Sequence, residues 1–178
     1  MEEEKKENEP QQVSRPSDMC HIPIKVIDAV DGDEPIVIRD KDLVKYIGPL
    51  ARAVGAYNPN WEEHAIDVLP VKIPFKKEHV LFMFDTVRKY QQPTNETRVE
   101  IDYPETVDKD LDFLKDIMTL CQYCECDTLH GAIAYVAAQR LNNIDDVKVI
   151  ADYFGFECDP NQSILDAKDG WMKVDYPE

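Results

Sequence analysis

"DLDFLKDIMTLCQYCECDTLHGAIAYVAAQRL", residues 110–141, carries the pattern of two consecutive α-helices, with apolar side chains recurring every three or four positions. Asp110 is a good N-cap for the first helix, and the second begins near Asp127. The stretch therefore predicts a helix pair that meets at a cysteine-rich junction. The predicted buried faces consist of Leu111, Leu114, Ile117, Met118 and Cys121 in the first helix, and Leu129, Ile133, Val136, Ala137 and Leu141 in the second.

Three of the five cysteines lie at this junction, close to a histidine. Cys121, Cys124, Cys126 and His130 are of the ligand types that zinc prefers, but a zinc site usually draws two ligand pairs from well-separated segments. Because the helical period continues through Cys121 and Cys124, we expect these thiols to fill the core as small apolar side chains. A zinc-binding or redox protein is kept as the minor alternative.

Two extended stretches precede the helix pair. "IKVIDAVDGDEPIVI", residues 24–38, predicts a β-hairpin over residues 24–39 with the turn formers Asp31 and Gly32 at its tip. "IDVLPVKIP", residues 66–74, predicts a third strand. The sheet should therefore have three strands.

Two further helices are predicted in the same half of the chain. The first begins at Asp40 or Asp42 and ends at Gly55, and Pro49 predicts a kink or break inside it. The second covers residues 76–90 and should be largely buried.

The remaining segments lie at the two ends of the chain and before the helix pair. Residues 91–110 contain two prolines and no sustained period, which predicts a long acidic loop. "VKVIADYFGF", residues 147–156, predicts a helix that ends at Gly155, and a last helix should begin at residues 159–160. Residues 1–18 have the composition of a disordered tail and no signal peptide, so we expect a cytoplasmic or nuclear protein.

The charge and the motifs exclude several classes of function. The 20 Lys and Arg against 36 Asp and Glu give a formal net charge of -16, which repels nucleic-acid phosphates and anionic lipids. We therefore expect neither a nucleic-acid partner nor a membrane partner. The sequence has no glycine-rich phosphate loop and no hydrolase or metalloprotease motif. A non-enzymatic protein without a cofactor is expected.

A hairpin, a helix, a third strand and then helices only is the order of an α+β fold, with helices covering one side of a small sheet. In this order the sequence resembles the Skp-type adaptors of SCF ubiquitin ligases, which have a BTB/POZ fold followed by added C-terminal helices. The resemblance covers about residues 22–171. It consists of ordered short matches at residues 24–38, at "LPVKIPFKKEHVLFMFDTVRKY" (residues 69–90), and at residues 110–141 and 147–156.

The resemblance implies a non-catalytic adaptor that bridges F-box substrate receptors to a cullin within the ubiquitin conjugation pathway. It implies three parts, namely a tail of residues 1–21, a BTB/POZ-like domain of residues 22–141 and an F-box-binding helical extension of residues 142–178. Gln122 and Tyr123 fall where the family has an Asn-Tyr pair on its cullin-facing side. The residues that fall in the F-box-gripping segments are Val147, Ile150, Ala151, Phe154, Phe156 and Trp171.

The sequence also departs from the family pattern, which marks it as a divergent member. Lys115 stands where the family usually has a phenylalanine near the F-box, and a charge there is costly if it is desolvated without a partner. A second interpretation therefore stays open, in which the same fold serves as a scaffold. Such a scaffold would form a homodimer or assemble another complex without binding a cullin.

Overall fold

The computed structural model describes residues 20–30 and 34–156, which form a mixed α+β structure. The strands are β1 (Cys20–Lys25), β2 (Ile36–Ile38), β3 (Ile66–Asp67) and β4 (Val71–Lys72). The helices are α1 (Lys41–Lys45), α2 (Gly48–Tyr57), α3 (Lys77–Thr86), α4 (Val99–Asp102), α5 (Leu111–Cys124), α6 (Asp127–Leu141) and α7 (Val147–Phe154). Within the part of the chain that is described, no helix is long and apolar enough to cross a membrane.

The sheet is built around β1. β2 pairs with it antiparallel, with Ile22 opposite Ile38, whereas β3 and β4 both pair with it parallel. The predicted pairing of the first two extended segments is confirmed, although Asp31 and Gly32 lie outside the described residues. The strand begins at Cys20, two residues inside the segment that was predicted as tail.

The predicted three-stranded sheet is wrong in one respect, because the third extended segment is divided into β3 and β4. Residues 68–70 lie between Asp67, which pairs with His21, and Val71, which pairs with Ile24. β1 has only two residues between the same pairs, so the β3–β4 segment has one extra residue. This extra residue breaks the ladder in the way that a β-bulge does, and Pro70 has no N–H group with which to restore it.

The first predicted helix is broken as Pro49 indicated. α1 begins after Asp40, whose side chain accepts a hydrogen bond from Asp42 N, and Pro49 lies in the first turn of α2. Gly55 does not end α2, which continues to Tyr57. A Cβ at Gly55 would lie 3.9 Å from the Trp61 indole, an ordinary van der Waals contact, so neither a helix stop nor a close approach requires glycine here.

The predicted acidic loop is also wrong in part, because residues 91–110 contain α4 and a short 3-10 helix at Pro104–Thr106. The segment is held by Tyr103, which is buried and donates its hydroxyl hydrogen to Gln91 O at 2.8 Å. Arg140 of α6 donates to the carbonyl oxygens of Thr106 and Val107. These anchors are irregularly spaced and hence invisible to a search for periodicity.

The predicted helix pair forms the centre of the core as α5 and α6. Asp110 caps α5 as predicted, since its Oδ1 accepts from Phe113 N at 2.7 Å. Leu111 and Met118 are only half-buried, and Leu120 instead completes the buried face of α5. The fully buried side chains of the pair include Leu114, Ile117, Leu120, Leu129, Ile133 and Val136.

We expect Asp110→Ala to lower the free energy of unfolding by about 1 kcal/mol, because the first turn of α5 loses its side-chain cap. Urea denaturation followed by circular dichroism measures this change. Asp108→Ala is the matched control, since that carboxylate is exposed. It lies 3.6 Å from Lys109 Nζ, and an exposed ion pair of this kind contributes little to stability. Equal effects of the two substitutions would contradict the capping role.

Candidate functional site

The cysteines of the α5–α6 junction are buried in the core. Cys121, Cys124 and Cys126 have almost no exposed surface, and Cys126 Sγ donates to Tyr46 O at 3.0 Å. Burial raises the pKa of Cys124 and of Cys126 to about 12, and it raises the pKa of Cys121 as well. The three thiols are therefore protonated at neutral pH.

The same geometry bears on the zinc alternative. His130 is half-buried, and within residues 20–30 and 34–156 no group of three or more histidine, cysteine or acidic side chains is placed so that it could hold a metal ion. Cys121, Cys124, Cys126 and His130 are thus not assembled into a ligand set. The thiols have the packing role that their helical spacing predicts.

On the opposite side of α5, Gln122 and Tyr123 are exposed. The Tyr123 ring is 44% exposed and packs against Phe75, with 5.6 Å between the ring centroids. A half-exposed tyrosine supported on one edge presents both apolar area and a hydroxyl group to solvent. We call Gln122, Tyr123 and Phe75 the Tyr123 surface.

The Tyr123 surface lies at the end of α5, next to a residue with an unusual backbone conformation. Glu125 ends the helix in a left-handed conformation with φ 58°, and it is the one non-glycine residue with positive φ among the described residues. Its carboxylate accepts two hydrogen bonds from Arg52 of α2, at 2.6 and 2.7 Å. Arg52 thereby lowers the pKa of Glu125. A Cβ at Gly48 would collide with this carboxylate.

A second candidate surface lies on α7. This helix begins at Asp146, whose side chain accepts from Lys148 N at 2.9 Å, and ends at Gly155 with φ 75°, as the sequence predicts. Phe154 is 57% exposed and Phe156 is 68% exposed. The Tyr153, Phe154 and Phe156 rings follow one another at centroid distances of 5.2 and 6.4 Å. We call these three rings the α7 surface.

The other residues predicted for F-box binding have different positions. Ile150 and Ala151 are half-buried on α7. The side chain of Val147 and the whole of Trp171 lie outside the described residues. Two of the six predicted residues, Phe154 and Phe156, therefore form part of an exposed aromatic surface.

Lys115 of α5 connects α7 to the domain. Its ammonium group donates to Tyr153 O at 2.7 Å and lies 5.4 Å from the centroid of the Tyr153 ring. The acceptor is in the last turn of α7, where the helix dipole favours a cation. Burial raises the pKa of Tyr153, and its Oη has no hydrogen-bond partner among the described residues.

Comparisons of the chain with models of known protein families, with curated proteins and with solved structures found no match. The two surfaces are therefore interpreted from their own geometry and from the sequence resemblance. Sequence reasoning missed the pairing of Arg52 with Glu125, which are 73 positions apart and leave no periodic signal. It did single out Lys115 as a charge in need of a partner.

We expect the four described cysteines to be unreactive towards a thiol reagent such as DTNB in the native protein, because burial protects them and keeps them protonated. The Cys158→Ser variant limits the measurement to Cys20, Cys121, Cys124 and Cys126. All four should react at once in guanidinium chloride. Rapid reaction of the native variant at neutral pH would contradict the burial of the junction.

We expect Lys115→Gln to loosen α7, since the amide cannot supply the charged hydrogen bond to Tyr153 O. Hydrogen exchange of the α7 amides, measured by mass spectrometry, should accelerate by about three- to tenfold. Lys148→Gln is the matched control because it removes the charge of an exposed lysine on α7 itself. Equal exchange in the two variants would show that Lys115 does not hold the helix.

Proposed function

We propose that this protein is a Skp-like adaptor that bridges F-box substrate receptors to a cullin in a cytoplasmic or nuclear ubiquitin ligase. It acts without catalysis, through a BTB/POZ-like domain with a C-terminal helical extension. In this proposal the α7 surface binds the F-box and the Tyr123 surface faces the cullin. The order of the strands and helices agrees with the sequence resemblance on which the proposal is built.

The observation that carries the proposal is the exposure of Phe154 and Phe156 at the end of α7. α7 has eight residues, which is too short for a helix to be stable in isolation, and helices of this length depend on packing. Contiguous aromatic side chains at such a position are typical of a surface that another protein covers. An apolar groove-and-helix contact with an F-box would bury them.

The Tyr123 surface supports the second half of the proposal. Tyr123 is supported by Phe75, and the turn that follows it is tied to α2 by Arg52 and Glu125. A protein partner therefore meets a side chain whose position is largely set in advance, which lowers the entropy cost of binding. The two surfaces use different helices and can be tested separately.

Lys115 is compatible with this function despite its difference from the family pattern. Its ammonium group has a hydrogen bond and an aromatic ring, and it remains exposed. The cost of an unpaired buried charge therefore does not arise. The lysine contacts Tyr153 and leaves Phe154 and Phe156 exposed.

Affinity purification of the tagged full chain from cells, followed by mass spectrometry, tests the partner classes. We expect both F-box proteins and a cullin to co-purify. Phe154→Ala with Phe156→Ala should weaken binding to a purified F-box protein about 30-fold, as for aromatic residues that contribute ~2 kcal/mol at an interface, and should leave cullin binding unchanged. Tyr123→Ala should weaken binding to the cullin and leave binding to the F-box protein unchanged.

Tyr57→Ala is the matched control, since Tyr57 is an equally exposed aromatic residue at the end of α2. If the double variant binds the F-box protein as tightly as the native chain does, the α7 surface is not the F-box-binding site. The scaffold alternative predicts another result, namely a homodimer in light scattering that has no affinity for a cullin.

A further inference from the structure

Exposed carboxylates flank the contact between α5 and α7. Asp112 and Asp116 lie one turn before and one residue after Lys115, which bonds to Tyr153 O, and Asp152 precedes Tyr153 on α7. Burial raises the pKa of Tyr153, and the negative charge of Asp112 raises it further. We call Asp112, Asp116 and Asp152 the acidic rim.

The acidic rim is poorly neutralised by the protein itself. Among the ion pairs of residues 20–30 and 34–156, Asp116 lies 3.8 Å from His79 Nδ1, and neither Asp112 nor Asp152 is within 4 Å of a lysine or arginine nitrogen. Lys115, which lies between Asp112 and Asp116 on α5, is engaged with the carbonyl oxygen and ring of Tyr153. An apolar surface is thus bordered by negative charge that is available to a partner.

We propose that the α7 surface selects a basic amphipathic helix, whose apolar side contacts Phe154 and Phe156 and whose lysines or arginines face the acidic rim. The inference rests on the proposed function for the location of the surface and adds the chemistry of the partner. Complementary charge of this kind gives specificity and faster association more than raw affinity. It also rejects acidic helices, since like charges would then be brought together.

The same charges argue against a second copy of this chain as the occupant. A two-fold symmetric contact would place identical surfaces face to face, so that each acidic rim would meet the other. The chain as a whole carries a formal charge of -16, which adds to the repulsion. A basic helix of another protein avoids both costs.

Three synthetic helical peptides of about 18 residues test the inference on the full chain. They share one leucine face and differ in carrying Lys, Gln or Glu at the flanking positions. In fluorescence anisotropy the Lys peptide should bind about tenfold more tightly than the Gln peptide, and the Glu peptide should bind most weakly. Raising the salt from about 0.05 to about 0.3 M should remove most of this difference.

The variant Asp112→Asn, Asp116→Asn, Asp152→Asn should lose most of the preference for the Lys peptide and keep its affinity for the Gln peptide. The control Glu63→Gln, Glu96→Gln, Glu100→Gln removes the same number of negative charges from exposed positions on other segments and should keep the preference. Circular dichroism confirms that both variants are folded.

The outcomes separate the inference from the proposed function. Equal affinity for the Lys and Gln peptides, equal effects of the two triple variants, or no binding of any peptide would overturn the basic-helix inference. None of these results would change an observed co-purification with F-box proteins and a cullin. Conversely, selective binding of the Lys peptide by a chain that captures neither partner class would overturn the proposed function alone.

Discussion

The turn at Glu125 is the constraint on which the arrangement of the two candidate surfaces depends. It reverses the chain between α5 and α6, and these helices supply much of the core. Cys126 N donates to Cys121 O at 2.9 Å, which satisfies a carbonyl group at the end of α5. A left-handed backbone costs free energy for any residue with a Cβ, yet the position is occupied by glutamate. The two hydrogen bonds from Arg52 give a reason for the glutamate. Glycine would remove the backbone strain, but it could not accept these bonds from α2.

The apolar side chains of α5 determine which side of this helix faces the core. The thiols of Cys121 and Cys124 point inward, and the helical rotation between them brings Gln122 and Tyr123 outward. The cysteines therefore have a packing role, in which they fill the space where α5, α6 and the chain at Tyr46 meet. Tyr123 lies on the outer side of the same helix, where its ring packs against Phe75.

Much of the fold could be predicted from the sequence, because its main elements carry local signals. The caps at Asp110 and Gly155 and the break at Pro49 follow from the chemistry of single residues. The errors arose where tertiary contacts decide, as at the helix within the acidic loop, which depends on the buried Tyr103 and on Arg140. The same limit applies to the candidate site, because the exposure of Phe154 could not be separated from core packing by its helical spacing alone.

Lys115 shows how one side chain can attach a helix and still leave its aromatic residues exposed. An aromatic residue at this position of α5 would cover apolar area of α7 and draw the helix towards the core. The lysine instead makes one directional bond to the end of α7 and stacks on one ring, Tyr153. It fixes the helix by its polar end while covering neither Phe154 nor Phe156, which remain exposed. One exposed lysine thus attaches α7 to α5 and leaves the aromatic end of the helix accessible to solvent.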